Sequence, residues 1–113
     1  MAGGRSGGGV LVNAQGAFSM NSGEISRNSC SWSGGGVYIR HDGRFFMAGG
    51  VISGNTAGWS GGGVQLPLSG QANFIKTGGT IYGSDGGINA NRDSQWQSAI
   101  GGGSHASDTT VRL

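Results

Sequence analysis

The run Ser-Gly-Gly-Gly-Val occurs three times at a spacing of 27 residues: Ser6–Val10, Ser33–Val37 and Ser60–Val64. Aligned on it, 6–32 and 33–59 are identical at 13 of 27 positions: the five of the run, Gly16/Gly43, Phe18/Phe45, Met20/Met47, Gly23/Gly50, Ile25/Ile52, Ser26/Ser53, Asn28/Asn55 and Trp32/Trp59. A fixed period of this size means one structural unit stacked on copies of itself. A single unit cannot bury its apolar face alone, so the array is the fold.

The period also decides how the glycine content is read. Glycine supplies 27 of 113 residues, a composition that without a period would suggest disorder. Here the glycines recur at fixed places between apolar residues, and no Gly-X-Y period points to collagen. A helical repeat is excluded on energy, because each interior glycine costs a helix about 1 kcal/mol.

One copy, 33–59, divides into three short runs and three turns. Gly36–Ile39 alternates, and His41-Asp42-Gly43 turns, with the glycine expected to supply the unusual dihedral. Arg44–Met47 is a second run, Ala48–Gly50 turns, and Val51–Asn55 is a third. Thr56–Ser60 leads back to the next glycine triplet. Three strands per 27 residues predict one rung of a parallel β-helix, rising about 4.8 Å per rung.

Comparing copies separates inside from outside. Val10/Val37/Val64 and Val12/Ile39/Leu66 stay apolar and flank the variable Leu11/Tyr38/Gln65. Alternation therefore turns the first two columns inward and the third outward. By the same argument Phe18/Phe45/Phe74, Met20/Met47 and Ile25/Ile52/Ile81 point in, and Ser19/Phe46/Ile75 point out.

The third copy drifts. Val64 to Phe74 is two residues longer than Val10 to Phe18 and holds Pro67, while Lys76 stands where methionine is expected. The expected organisation is a single domain, 1–113, with coils at 6–32, 33–59 and 60–84, a loop extension at 85–100 and a partial coil at 101–113. Neither end reads as an amphipathic cap. Open strand edges recruit other chains, so the array is expected to be a fragment of a longer one or to self-associate through its open rung ends.

Gly-Gly-Gly-Val followed by Ile-Ser-Arg-Asn (25–28) or Ile-Ser-Gly-Asn (52–55) resembles the repeats of bacterial surface right-handed β-helix proteins. The likeness is to the adhesin and polymorphic outer membrane protein class, whose coils carry Gly-Gly-Ala-[Ile/Val/Leu] and Phe-x-x-Asn motifs. Here Gly stands for the Ala and Ile for the Phe. The resemblance covers roughly 6–103 and implies an all-β, right-handed parallel β-helix. It also implies a passenger stalk at the cell surface or in secretion, with a host-surface protein or glycan as partner. Met1–Ser6 lacks the apolar core of a signal peptide, so an export signal is expected to lie outside this chain.

Bulk charge limits the partners. Seven Lys and Arg against five Asp and Glu give a formal net charge of +2, too weak to imply nucleic acid or a membrane surface. No apolar run reaches the roughly 18 residues of a membrane span. The single cysteine, Cys30, excludes an internal disulfide and aligns with Ala57, a small-residue position, as an inert buried thiol.

Candidate site residues are few. Asn28 and Asn55 recur in step with the core, which favours a structural ladder of corner amides over a ligand site. Trp32 and Trp59 form an aromatic pair one rung apart, fit to stack a sugar or cover a corner. Tyr38, Arg40, Phe46 and Trp59 on the second rung are the expected binding residues, because aromatic and arginine side chains are the usual interface anchors. His41, among Arg40, Asp42 and Arg44, reads as a solvated turn. His41 and His105 have no metal-ligand spacing. Asp85, Asn89, Asn91 and Asp93 gather oxygen ligands of the kind calcium takes, yet match neither an EF-hand nor a Gly-Gly-x-Gly-x-Asp repeat.

Two functions from different classes follow. One is a non-catalytic structural or adhesive module with no cofactor. The other is a carbohydrate-cleaving β-helix enzyme, which needs acid and base groups on one face. The five carboxylates, Glu24, Asp42, Asp85, Asp93 and Asp108, do not recur as pairs, and Glu24 becomes Val51 one rung on. The binding module is the expected function.

Overall fold

The computed structural model describes residues 4–6, 8–59, 61–66, 73–83, 90–92 and 99–100. These form strands without helix. The strands stack by parallel pairing into four sheets that run down the sides of a solenoid, a parallel β-helix.

The first sheet holds β2 (Val10–Val12), β6 (Val37–Ile39) and β10 (Val64–Gln65). Val10, Val37 and Val64 lie in register. The second holds β3 (Ala17–Met20), β7 (Arg44–Met47) and β11 (Asn73–Lys76), with Phe18, Phe45 and Phe74 in register. The third holds β4 (Glu24–Ser26), β8 (Val51–Ser53) and β12 (Thr80–Ile81), with Ile25, Ile52 and Ile81 in register. The two extra residues before Phe74 are thus absorbed ahead of β11, and the aromatic column continues unbroken.

The fourth sheet departs from the three-strand rung that the sequence suggested. β1 (Gly4–Ser6), β5 (Ser29–Ser33) and β9 (Thr56–Ala57) pair in parallel. The segment read as a return to the glycine triplet is therefore itself a strand. Its side chains (Ser, Cys, Ser, Trp, Ser) carry no apolar alternation. Backbone pairing with the next rung creates this sheet, and that pairing leaves no mark on hydrophobic pattern.

The core is the set of inward columns. Val37, Ile39, Phe45, Met47 and Ile52 are buried, together with Val12, Met20, Val64 and Ile81. Each buried aliphatic or aromatic side chain contributes about 1.5–3 kcal/mol. Phe45 stacks on Phe18 with ring centroids 5.3 Å apart and on Phe74 at 5.2 Å. Lys76 continues the Met20–Met47 column and is 0% exposed.

The glycine triplet is required by closeness. A Cβ on Gly35 would meet the Gly62 carbonyl oxygen at 2.6 Å, and one on Gly36 the Gly63 oxygen at 2.6 Å. Gly34 adds a φ of +73° and lies beneath the Cβ of Tyr38, 2.7 Å from where its own would stand. In the turn at 41–43 the expectation fails by one residue. The positive φ falls on Asp42 (65°), as on Gln15 (65°) one rung earlier, and not on Gly43. Gly43 is needed for space instead: a Cβ there would sit 3.0 Å from the Arg40 carbonyl oxygen and from Ile39 Cγ2.

Two further outcomes differ from the sequence reading. Gln65, assigned outward, is only 4% exposed. It lies over Gly61, as Tyr38 lies over Gly34, and faces Ala99 of β13 (Ala99–Ile100) across an antiparallel pairing. The chain is also back on the stack at Ala90–Arg92, inside the stretch read as a loop extension. Arg92 bridges Thr56 in parallel, and Ala57 N–H donates to the Arg92 carbonyl at 2.8 Å. The glycines 101–103 and the strand expected at 110–113 lie outside the described residues.

Candidate functional site

At the asparagine corner, amide hydrogen bonds run from rung to rung. Asn28 donates from its backbone N–H and from Nδ2 to Asn55 Oδ1, both at 3.0 Å. Asn55 repeats the pattern toward Asn91 Oδ1, both at 2.9 Å. Asn55 Nδ2 also donates to the Ile25 carbonyl at 3.0 Å. Asn91 Nδ2 donates to the carbonyls of Ile52 and Tyr82. Asn55 and Asn91 are fully buried. In a low-dielectric interior such a chain of amides is stable only when every member is paired.

Asn91 is thereby the third member of the ladder, which the sequence reading had placed among possible calcium ligands. Its Oδ1 already accepts two donors from Asn55 and points into the stack. Asp85, Asn89 and Asp93 lie outside the described residues. The signal missed was the Asn-x-x-x-Trp spacing: Asn28 precedes Trp32 and Asn55 precedes Trp59 by four, and Asn91 precedes Trp96 by five. Asn55 to Asn91 spans 36 residues, against 29 from Ile52 to Ile81. Seven residues are therefore inserted between Ile81 and Asn91.

The outward aromatics fall on different sides. Tyr38 is half-buried on β6, and Arg40 is exposed just beyond it. Phe46 is half-buried on β7, in a column between exposed Ser19 and half-buried Ile75. Trp59 follows β9 on the fourth sheet and is 54% exposed. Its neighbour is Trp32, 57% exposed, and the Trp59 N–H donates to the Trp32 carbonyl at 2.7 Å. With Ser31 the two indoles line a shallow recess of about 140 Å³. The four expected binding residues are thus spread over three sheets, and Trp59 is joined by Trp32 instead.

Among the described residues, titratable groups do not converge. His41 Nε2 lies 3.3 Å from Asp42 Oδ2 on an open turn, flanked by exposed Arg40 and Arg44. Glu24, on the third sheet, accepts a bond from Ser53 Oγ at 3.5 Å. Asp85, Asp93, Asp108 and His105 lie outside the described residues. Among the described residues no three His, Cys, Asp or Glu side chains gather as metal ligands. Cys30 is buried in register with Ala57, as its small-residue position implied. No helix among them is long and apolar enough to cross a membrane.

Compared with known proteins, the chain matches no family model, no curated protein and no solved structure.

Proposed function

We propose that this chain is a non-catalytic binding module of a bacterial surface or secreted protein. Its rigid solenoid sides hold a host-surface protein or a glycan. The observation that carries the reading is the exposure of Trp32 and Trp59, one rung apart on a hydrogen-bonded backbone. Large aromatics left on a rigid surface mark interaction sites. An indole pair offers apolar faces for sugar C–H groups. Tyr38, Arg40 and Phe46 supply a second set of anchors on neighbouring sides. The cell-surface setting rests on the likeness of the repeats to the adhesin class.

The test is adhesion to arrayed glycans and matrix proteins, measured for two double variants, Trp32→Ala/Trp59→Ala and Tyr38→Ser/Phe46→Ser. Loss of binding with unchanged thermal stability supports the reading and says which side binds. Binding unaffected in both variants overturns it. The competing reading is a carbohydrate-cleaving enzyme. Cleavage of pectins, glucans or glycosaminoglycans that disappears in Asp42→Ala or His41→Ala would establish that reading instead.

A further inference from the structure

Beside its two indoles, the fourth side of the solenoid carries hydroxyl and guanidinium groups. Ser29 of β5 pairs with Thr56 of β9, and Thr56 bridges to Arg92 on the next rung, both in parallel. All three residues are exposed. Their neighbours Cys30 and Ala57 are buried, so alternation along the strands turns Ser29 and Thr56 outward.

Arg27 adds a second guanidinium to the same flank. It stands at the corner between β4 and β5, two residues before Ser29, and is exposed. Its backbone is held there, with φ at +57° and its N–H donating to the Ser53 carbonyl at 3.3 Å. Arg27 belongs to the first rung and Arg92 to the third, about 10 Å apart along the axis at the usual strand spacing. Thr56 lies on the rung between them.

The other flank of this side is aromatic. Trp32 and Trp59 follow Ser29 and Thr56 by three residues, at most about 11 Å along the chain. Ser31 lines the recess with the two indoles. On the second rung Gly58 takes the corresponding place, where a Cβ would strike the Ser31 carbonyl oxygen. No outward side chain therefore stands between Thr56 and Trp59. The carboxylates among the described residues lie on other sides: Glu24 on the third sheet, bonded to Ser53, and Asp42 on the turn after β6, beside His41. The described part of the fourth side is thus basic along one flank and apolar along the other.

We infer that the fourth side takes an acidic saccharide, a sugar chain bearing carboxylate or sulfate groups. This assignment rests on the binding role proposed for Trp32 and Trp59 and names the ligand class of that site. One sugar ring lies flat against the indoles, its C–H groups on their apolar faces. The saccharide then crosses Ser29 and Thr56, whose hydroxyls both donate and accept hydrogen bonds. Its acidic group reaches Arg27 or Arg92, since a guanidinium holds a planar or tetrahedral oxyanion through paired N–H bonds. The distance from indole to arginine is the length of two linked pyranose rings. Charge complementarity selects this occupant: a neutral sugar engages only the indoles and hydroxyls, and the two guanidinium groups then contribute nothing to its binding.

The experiment is binding of the 113-residue chain to arrayed uronate-, sialate- and sulfate-bearing oligosaccharides, each beside its carboxyl-reduced or desulfated counterpart. The paired arms tell carboxylate from sulfate. The wild type should hold at least one acidic saccharide about tenfold or more tighter than its neutral counterpart. Arg27→Gln/Arg92→Gln should abolish that difference and keep the weaker neutral binding, which also shows that the variant is folded. Trp32→Ala/Trp59→Ala should lose both. Acidic and neutral forms held alike, an arginine variant that still prefers the acidic form, or a loss confined to Tyr38→Ser/Phe46→Ser would each overturn the inference and leave a binding module standing. A wild type that holds matrix proteins and no saccharide would do the same. A chain that holds neither saccharides nor matrix proteins overturns the inference and the binding reading together.

Discussion

The first and second rungs carry the same residues at their inward positions and bury them to different degrees. Val10, Phe18 and Ile25 repeat as Val37, Phe45 and Ile52. The upper set is half-buried and the lower set is sealed between two neighbours. The residues are identical, so the difference belongs to the stack. In a solenoid each rung contacts only those above and below it. The energy of a side chain is then set by how many of its two neighbours are present.

The largest effect that would break this comparison is expected at its sealed side. Phe45→Ala should destabilise by about 3–5 kcal/mol, because the ring is enclosed by Phe18 and Phe74 and its loss leaves a cavity. Denaturant titration would show it. Unchanged stability would mean that the inward register is wrong.

The asparagine ladder comes next. Asn55→Ala removes the acceptor of two Asn28 donors and the donor to Asn91 and to the Ile25 carbonyl. Stranding buried polar groups costs about 1–3 kcal/mol, and the fully buried position of Asn55 puts this variant toward the upper end. Asn28→Ala, on the half-buried rung, should cost less. Equal losses for the two would remove the distinction between inner and outer rungs.

Phe18→Ala sharpens the comparison most directly. Half-buried and stacked on Phe45, Phe18 should lose roughly half of what Phe45 loses, about 1.5–2.5 kcal/mol. Denaturant titration beside Phe45→Ala would show it, and equal losses for the two variants would remove the difference between the rungs.

The smallest effect belongs to the exposed aromatics. Trp59→Ala should change stability within about 0.5 kcal/mol, as surface substitutions usually do. Calorimetry of the variant beside its binding assay separates a recognition role from a packing one. A loss of several kcal/mol would place the indole in the structure of the corner.

Much of the inward face was legible because alternation and recurrence are local properties. Val37, Ile39, Phe45, Met47 and Ile52 could be assigned from one copy compared with the next. The recurrence of Asn28 and Asn55 one rung apart was legible for the same reason. Gln65 was not, since the residue that faces it, Ala99, is 34 positions away and carries no matching pattern. The candidate site was legible only as a set of residue types. Tyr38, Phe46 and Trp59 share a rung in sequence, but a rung turns through four sides, and one rung's residues point in several directions.

The period, the parallel coil and the columns of like residues are legible in the chain alone, because each is written into every copy. The tertiary structure decided what covers what. Backbone pairing alone made the fourth sheet, since hydrogen bonds between rungs need no apolar pattern. The return of Asn91 to the ladder after a seven-residue insertion was fixed by the donors of Asn55, which reward that amide wherever the chain supplies it. The antiparallel seating of β13 on β10 joined Gln65 to Ala99. Those outcomes depend on partners far apart in the chain, and a repeat unit read alone contains no record of its neighbours.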